Sequence, residues 1–542
     1  QPLAAGAEEI LYCHVTPDDV PEIIDKSIHA GDVIERLLYH DPATGHVYRD
    51  SHEIPFYAKQ KRITLADCGR IEPESIEEYI MHGGYTAARS AITQMTPEQI
   101  CDEIMTSGLR GRGGAGFLTG RKWQITLAAK SDTKYIICNA DDGGPGAYMD
   151  RSTMEGDPHR VLEGAIIAAY ATGARHGYFY IRTEYPFALV RMQKAIDSAR
   201  QAGLLGKALF GSNFSFDCEV VESAGAFVCG EETAVLASIE GRRGVPRVKP
   251  PFPAQNGLFG KPTVINNVET LATIREIVAH GAAAFRKYGT PQSSGTKTFA
   301  LAGRVVYTGL IEVPFGITLR EIVYDIGGGI PDGRKFKAVQ IGGPSGGCLT
   351  VEHLDMPLDF ENLLRVGAMV GSGGIVVMDD STCIVEVTRF FMQFMQQESC
   401  GKCVPCREGT KQMLGILQDI VDGKSQPGDI ELLEETARAV KIASLCGLGK
   451  TAPNPLISTL KLFRSEYQAH IDRRYCPAGV CSALKTYAID PSLCKGCTRC
   501  AMKCPAGAVE GEKREVHRIN VTKCTKCGIC ASLCKFHAIS AV

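Results

Sequence analysis

The chain has little of what marks a membrane or nucleic-acid protein. Of its 542 residues one is Trp and 7% are aromatic. No apolar run approaches the ~18 residues of a membrane helix, so direct membrane insertion is not expected. Neither sign of charge prevails: 59 Lys and Arg against 61 Asp and Glu leave a formal −2. That balance supplies no basic field for nucleic acid and no acidic excess for disorder. There is no low-complexity segment, and Gln1 to Ile10 lacks the basic start and apolar stretch of a signal peptide. A cytoplasmic globular protein is expected, of about three or four domains at ~150 residues each. Gln1 rather than Met opens the chain, so residues upstream of it are expected.

Cysteine, by contrast, is abundant and lopsided. Of 22 cysteines, fourteen lie from Cys400 onward and eight before it. Secreted disulfide scaffolds are usually short, whereas this long chain bunches its cysteines at two-residue spacings, a pattern of metal binding in a reducing compartment.

Periodicity divides the rest. Residues 1–85 read as a remnant plus linker, with a helical apolar pattern over Asp18 to Ile34 and no evident core of their own. From 86 to 290, short apolar runs alternate with helical patterns. Tyr135–Asn139 and Tyr178–Arg182 read as strands, Val161–Tyr170 and Ala188–Ala199 as helices, which predicts a parallel sheet covered by helices. Residues 291–382 are glycine-rich and β-rich, as in a small α+β domain. Residues 383–475 hold four helical segments, with Asp429 expected to N-cap the third and Asn454–Pro455 to start the fourth. The fold class is therefore multidomain α/β and α+β with a helical bundle, followed by a tail over 476–542.

The tail contains an internal repeat. Cys494, Cys497, Cys500 and Cys504 are echoed by Cys524, Cys527, Cys530 and Cys534, the C-x2-C-x2-C-x3-C spacing of proteins with two 4Fe-4S clusters. In that pattern the fourth cysteine of each run serves the other cluster. One set is then Cys494, Cys497, Cys500 and Cys534, and the other Cys504, Cys524, Cys527 and Cys530. Paired zinc sites are the alternative. A third set, Cys400, Cys403 and Cys406 with Cys446, fits a 4Fe-4S cluster in the bundle or a zinc ion; Lys402 and Arg407 place positive charge beside it. His470, Cys476 and Cys481, with Cys383 as fourth donor by elimination, suit a closed zinc site, or are unligated thiols and a surface histidine. The remaining seven cysteines, Cys13, Cys68, Cys101, Cys138, Cys218, Cys229 and Cys348, read as structural.

Gly111 to Gly116 matches G-x-G-x-x-G but follows a helical stretch rather than a strand, so as a dinucleotide fingerprint it is weak. Its open backbone N–H groups with Arg110, Arg112, Arg121 and Lys122 suit phosphate; a mobile glycine loop is the alternative. In order along the chain stand Gly111–Trp123, Asn139-Ala140-Asp141-Asp142, Cys229-Gly230-Glu231-Glu232-Thr233, Lys249-Pro250-Pro251-Phe252-Pro253, Ile265-Asn266-Asn267-Val268-Glu269-Thr270 and Glu398-Ser399-Cys400-Gly401-Lys402-Cys403. This series resembles the NADH-oxidising flavoprotein subunit of respiratory complex I over about residues 85–470. The tail and Cys476–Cys481 look like the β subunit of electron-bifurcating iron hydrogenases, bifurcating formate dehydrogenases and ferredoxin-linked transhydrogenases. In such relatives a thioredoxin-like 2Fe-2S domain precedes the flavin domain, and Val15–Val20 looks like its last helix.

The resemblance implies a Rossmann-like FMN and NADH domain, a ubiquitin-like β-grasp domain, a four-helix bundle with a 4Fe-4S cluster and a two-cluster ferredoxin domain. It puts FMN on Gly111, Arg112, Gly113, Gly114, Lys122, Asn139, Asp141, Gly230, Ile265, Asn266 and Asn267. NAD(P)H would meet Phe117, Glu231, Glu232, Lys249 and Phe252. Gly144, Ile125 and Asp142 depart from the family's usual residues, which leaves NAD against NADP open. No side chain is expected to act as acid or base, because the flavin carries the hydride chemistry. Expected partners are a small 2Fe-2S thioredoxin-like subunit, a large catalytic subunit of hydrogenase, formate dehydrogenase or transhydrogenase type, and soluble ferredoxin. Two alternatives stand beside the bifurcating reading: a non-bifurcating NADH dehydrogenase module, and a non-catalytic iron-sulfur wiring subunit.

Overall fold

The computed structural model describes residues 9–541. Four strands, β1 (Tyr135–Ala140), β2 (His176–Arg182), β3 (Asp217–Ser223) and β4 (Thr263–Asn267), form a parallel sheet in the order β3-β2-β1-β4. Their connections carry helices, as parallel strands require. These include α1 (Pro97–Ser107) and α2 (Thr119–Ala128) before β1, then α3 (Pro158–Thr172), α4 (Pro186–Gln201) and α5 (Glu232–Ile239), with α6 (Val268–His280) after β4. Every residue of α3 but Tyr170 is buried, which is why its sequence is apolar all round rather than on one stripe. It packs on α6 and the sheet at the centre of the largest core.

A second sheet follows, of five strands: β5 (Thr296–Gly303), β6 (Gly309–Pro314), β7 (Phe336–Ile341), β8 (Gly347–Leu349) and β9 (Gly374–Asp379), in the order β8-β7-β9-β5-β6. Only β9 and β5 run parallel; the other neighbours are antiparallel. Beyond it stand α7 (Ile384–Gln397), α8 (Val404–Val421), α9 (Asp429–Ala443) and α10 (Asn454–Asp472). The third helix starts differently from expectation. Gly428, in the left-handed region at φ 92°, is its N-cap, and Asp429 is its first helical residue, its carboxylate accepting from the Gln426 N–H at 2.7 Å.

The segment before residue 86 is integrated into these cores rather than merely linking to them. Ile54, Ile63, Leu65, Ile71 and Ile76 are buried, and its helical stretch runs without a break from Pro17–Asp19 through Val20–Glu22 into a π-helix over Ile23–His29. The clamp is Glu312 on β6. Its buried carboxylate accepts from the backbone N–H groups of Ile63, Thr64 and Leu65, each at 2.9 Å. Removing it leaves three buried donors unsatisfied at ~1–3 kcal/mol each. Glu312→Ala is therefore expected to loosen this segment by about 3 kcal/mol or more, seen as faster tryptic cleavage after Lys61 and Arg62; an unchanged rate refutes the clamp.

Candidate functional site: a crevice at the strand ends beside two thiol clusters

The carboxyl ends of β1, β2, β3 and β4 converge on one crevice, where β1 is flanked by strands reached in opposite chain directions, the usual ligand position of an open parallel sheet. At the end of β1, the Asn139 side chain donates to the Gly230 carbonyl at 2.9 Å and accepts from the Asp141 N–H at 3.2 Å. A Cβ on Gly230 would stand 2.8 Å from the Asp141 carbonyl, so only glycine permits this approach. The Asp141 carboxylate accepts from Arg182 at 3.1 Å and Ser223 at 3.0 Å, at the ends of β2 and β3. Burial pushes its pKa up to about 6 in spite of Arg182.

At the end of β4, Asn266 accepts from the Trp123 indole N–H at 2.9 Å. Asn267 N-caps α6 through the Thr270 N–H at 3.3 Å and donates to Asp150. Lys122, at the start of α2, donates to the Ile265 carbonyl at 2.9 Å, and burial lowers its pKa.

The glycine loop lies across this crevice, closed by the Gly111 N–H on the Phe117 carbonyl at 2.8 Å. A Cβ on Gly113 would meet that of Asn267 at 3.0 Å, and Gly114 bridges Gly371 of the second sheet's loops. Three of the four cations that suggested phosphate are engaged within the protein, Lys122 through the Ile265 carbonyl. Arg110 donates to the Gly116 carbonyl at 2.7 Å and stacks on Phe360, while buried Arg112 donates to the carbonyls of Arg110 at 3.0 Å and Ser294 at 2.8 Å. Their guanidinium groups thus shape the loop. The exposed Arg121, the remaining Nζ–H donors of Lys122 and the uncapped backbone at the start of α2 are left for an anion.

Beside Lys122, Lys249 bridges Glu231 at 3.0 Å and Glu232 at 2.6 Å, and Glu231 also caps α5. Phe117 and Phe252 are each 52% exposed, which leaves aromatic surface on both side chains free to meet a ring. Gly144 lies against Pro344.

Sequence reasoning missed the buried charges behind the crevice. Lys297 on β5 pairs with Glu269 of α6, and Asp142 and Asp150 lie close enough to both to feel their charges. Arg182 and Ser372 also face Asp142, and the Tyr185 hydroxyl donates to its carbonyl. Burial raises Asp142 to about 6. Glu269 stood inside a quoted motif; Lys297, Arg182 and Asp150 carried no local signal. A carboxyl raised in the native state favours folding while it is protonated and loses that advantage as pH rises from ~4 through ~6. Relative to wild type, Asp142→Asn should thus gain about 2–3 kcal/mol between pH 4 and pH 7. Unfolding midpoints of both proteins across that range check it, and parallel curves refute it.

Two thiol groups adjoin the crevice or the bundle. Cys400, Cys403, Cys406 and Cys446 converge between α7, α8 and α9, near enough that the other three thiols help raise Cys406, which burial and that company bring to about 11. Arg407 donates to the Gly401 carbonyl at 2.8 Å, Arg243 to the Cys400 carbonyl at 3.1 Å, and the Ser399 hydroxyl lies 3.2 Å from the Cys406 sulfur. Cys400 and Leu448 pack against the apolar cluster that includes Val228, Val235 and the strand residues Ile137, Tyr180 and Ile265.

At the other end of the bundle, Cys383, His470, Cys476 and Cys481 are all buried, with their ligand atoms within 4.8 Å of one another. His470 Nδ1 lies 2.8 Å from the Glu466 carbonyl, which turns Nε2 toward the sulfurs of Cys383 at 3.3 Å and Cys481 at 3.5 Å. Hydrogen bonds from Cys383 and Cys481 hold the Cys476 thiol well below its ordinary range. In the tail, Cys504, Cys524, Cys527 and Cys530 line one small cavity. All 22 cysteines are free.

The sequence pattern of the Nuo51 FMN-binding domain matches residues 104–276, that of the NADH-ubiquinone oxidoreductase-F iron-sulfur binding region 386–470, and that of a 4Fe-4S dicluster domain 486–535. The NADP-reducing hydrogenase subunit HndC of Solidesulfovibrio fructosivorans is 53% identical over 481 residues, 89% of this chain and 98% of that protein. This chain belongs to the family of NADH-oxidising flavoprotein subunits. Its FMN and 4Fe-4S centres and its NAD(P)H oxidoreductase class follow from that membership. Another member, an NADH-quinone oxidoreductase subunit of Escherichia coli, is 43% identical over 406 residues, 74% of this chain and 91% of that one. A solved NAD+-reducing [NiFe]-hydrogenase in the air-oxidised state superposes with a TM-score of 0.67 at 33% identity, over 85% of this flavoprotein and 74% of that chain. Among the described residues of the flavoprotein, no helix is long and apolar enough to cross a membrane.

Proposed function

We propose that this chain is the NAD(P)H-linked flavin and iron-sulfur subunit of a cytoplasmic electron-bifurcating complex. It exchanges hydride with nicotinamide and passes single electrons to partner subunits and ferredoxin. The observation that carries the reading is adjacency: Cys400 packs against the apolar cluster that holds Ile137 and Ile265 of the crevice strands, and Cys446, close to Cys400, also feels the charge of Glu231. When bound, FMN supplies the conversion of a two-electron hydride into single electrons.

The residues have separate tasks in this reading. Gly111, Gly113 and Gly114 expose backbone to the flavin phosphate, Lys122 neutralises it, and Arg112 holds the loop in shape. Asn139, Asp141, Gly230, Ile265, Asn266 and Asn267 position the ring, with Arg182, Ser223 and Asp150 positioning them in turn. Phe117 and Phe252 enclose the nicotinamide nucleotide. Glu231 accepts from its ribose, while Lys249, bridging Glu231 and Glu232, leaves that edge less hostile to a 2'-phosphate than free carboxylates would be.

The proposed units are a thioredoxin-like remnant over 1–85 whose later part packs on the two sheet domains, a Rossmann-like domain over 86–290, a ubiquitin-like domain over 291–382, a cluster-bearing bundle over 383–475, and a zinc-pinned ferredoxin tail over 476–542. The name of the 53% identical relative supports a hydrogenase-type catalytic partner and use of NADP(H). A small 2Fe-2S subunit would complete the complex.

Protein reconstituted with iron, sulfide and FMN should reduce dyes with NAD(P)H. In the whole complex, NAD(P)H should reduce ferredoxin only when a high-potential co-acceptor is present. Absence of dye reduction overturns the enzymatic reading; ferredoxin reduction without the co-acceptor overturns bifurcation alone.

A further inference from the structure

The cations around the bundle thiols are engaged with backbone. Lys402 donates to the Pro246 carbonyl at 2.6 Å, Arg407 to the Gly401 carbonyl at 2.8 Å and Arg243 to the Cys400 carbonyl at 3.1 Å. They fix the loop that carries Cys400 and Cys403. Glu398 ties the start of that loop to the crevice, its carboxylate accepting from the Phe227 N–H at 2.7 Å.

Two serine hydroxyls are placed differently. Ser399 Oγ lies 3.2 Å from Cys406 Sγ and accepts from the Gly401 N–H at 3.4 Å. A ligand thiolate has no proton to give, so within that pair the Ser399 O–H is the donor. Ser444 ends α9, its N–H donating to the Val440 carbonyl at 3.2 Å, and its extended ψ of 148° turns the chain out toward Cys446. It is 4% exposed, yet its Oγ has no hydrogen-bond partner among the described residues. A buried hydroxyl left unpaired destabilises a fold, and alanine would avoid that. The surroundings of Ser444 supply a reason for it. A Cβ on Gly449 would stand 2.7 Å from Ser444 Oγ and 3.1 Å from Cys406 Cβ. Both groups therefore border one point, which they approach so closely only because residue 449 is glycine.

A 4Fe-4S cluster fits this arrangement, because its sulfurs accept hydrogen bonds and its charge becomes more negative on reduction. We infer that the hydroxyls of Ser399 and Ser444 donate to the sulfurs of the bundle cluster and stabilise its reduced form, so that electrons leaving the crevice pass to it. The inference rests on the reading of Cys400, Cys403, Cys406 and Cys446 as the ligands of one cluster.

The holoprotein is titrated with redox mediators and followed by EPR, the signal missing from Cys446→Ser marking the bundle cluster. At a fixed potential, its ratio of reduced to oxidised form should fall about tenfold or more in Ser444→Ala and in Ser399→Ala, at about 59 mV per tenfold for one electron. The double variant should fall further. Ser399→Thr, which keeps the hydroxyl, should match wild type, and the tail clusters should keep their potentials in every variant. Iron and FMN contents equal to wild type guard against misfolding. A second readout needs no variant. After brief transfer to D2O, before buried backbone amides exchange, the reduced bundle cluster of wild type should lose a strongly coupled proton for each hydroxyl from its ENDOR spectrum. Unchanged potentials in both alanine variants, equal shifts in the tail clusters, or no fast-exchanging coupled proton in wild type overturns the inference and leaves the ligand reading intact. If Cys446→Ser loses no signal, the ligand reading falls and the inference with it.

Discussion

Cys446→Ser is expected to leave NAD(P)H-dependent dye reduction within about twofold of wild type while slowing delivery of electrons to tail acceptors by ~100-fold or more. The asymmetry follows from position. Cys446 is the single thiol brought by the turn before Gly447–Thr451, whereas Cys400, Cys403 and Cys406 share one loop and the first turn of α8. Backbone N–H groups of Leu448 and Gly449 stabilise its thiolate, against burial, which raises its pKa. A serine oxygen in that place is a harder and more weakly held donor to iron. The crevice keeps all its own contacts, because Asn139, Asp141 and Lys122 are bonded to the sheet and its neighbouring loops rather than to the bundle. Iron analysis should show a loss of about four irons per chain from about twelve. Full iron content, or equal loss of dye and tail activities, would refute the assignment.

The features most legible in the sequence were those whose chemistry is local. Cysteine spacing marked the tail groups, and the structure gathers one of them, Cys504 with Cys524, Cys527 and Cys530, around a cavity although twenty residues separate its first two members. Strand and helix positions followed from periodicity because the elements are long. The central helix α3 extends beyond its apolar run at both ends, since Pro158 and the Asp157 cap start it and Gly173 ends it. Charge in the core was not legible. Arg110 and Arg112 read as phosphate ligands because a basic glycine loop is ambiguous until the second sheet supplies Phe360, Phe315 and the Ser294 carbonyl. Likewise Glu312 and Lys297 reach partners 247 and 28 residues away in sequence, Leu65 and Glu269, which no local window connects. The Asp429 cap failed for a smaller reason: Gly428 can take the left-handed conformation that opens α9, so the chain enters the helix one residue earlier.

The second large effect is expected at the join between bundle and tail. Cys383 stands at the N-cap of α7, His470 near the end of α10, and Cys476 and Cys481 in the loop that leads to the tail. Three sulfurs and an imidazole nitrogen within 4.8 Å, all buried, are a poor core without an ion and a tetrahedral set with one. The second layer is in place too, since the Glu466 carbonyl fixes the imidazole while the Glu466 carboxylate accepts from the Ile384 N–H at 2.9 Å and pairs with Lys337 at 2.8 Å. Structural zinc holds such sites by ~10–16 kcal/mol in small domains. Elemental analysis of the holoprotein should therefore find about one zinc per chain, and Cys481→Ser or prolonged chelation should remove it. The loop between α10 and the tail would then lose its anchor, and tryptic cleavage at Arg473, Arg474 and Lys485 should accelerate by at least ~10-fold. FMN content should not change, because the crevice shares no residue with this site. Zinc absent from wild type, or Cys481→Ser cleaved no faster, would mean that the four groups close the bundle core by packing alone.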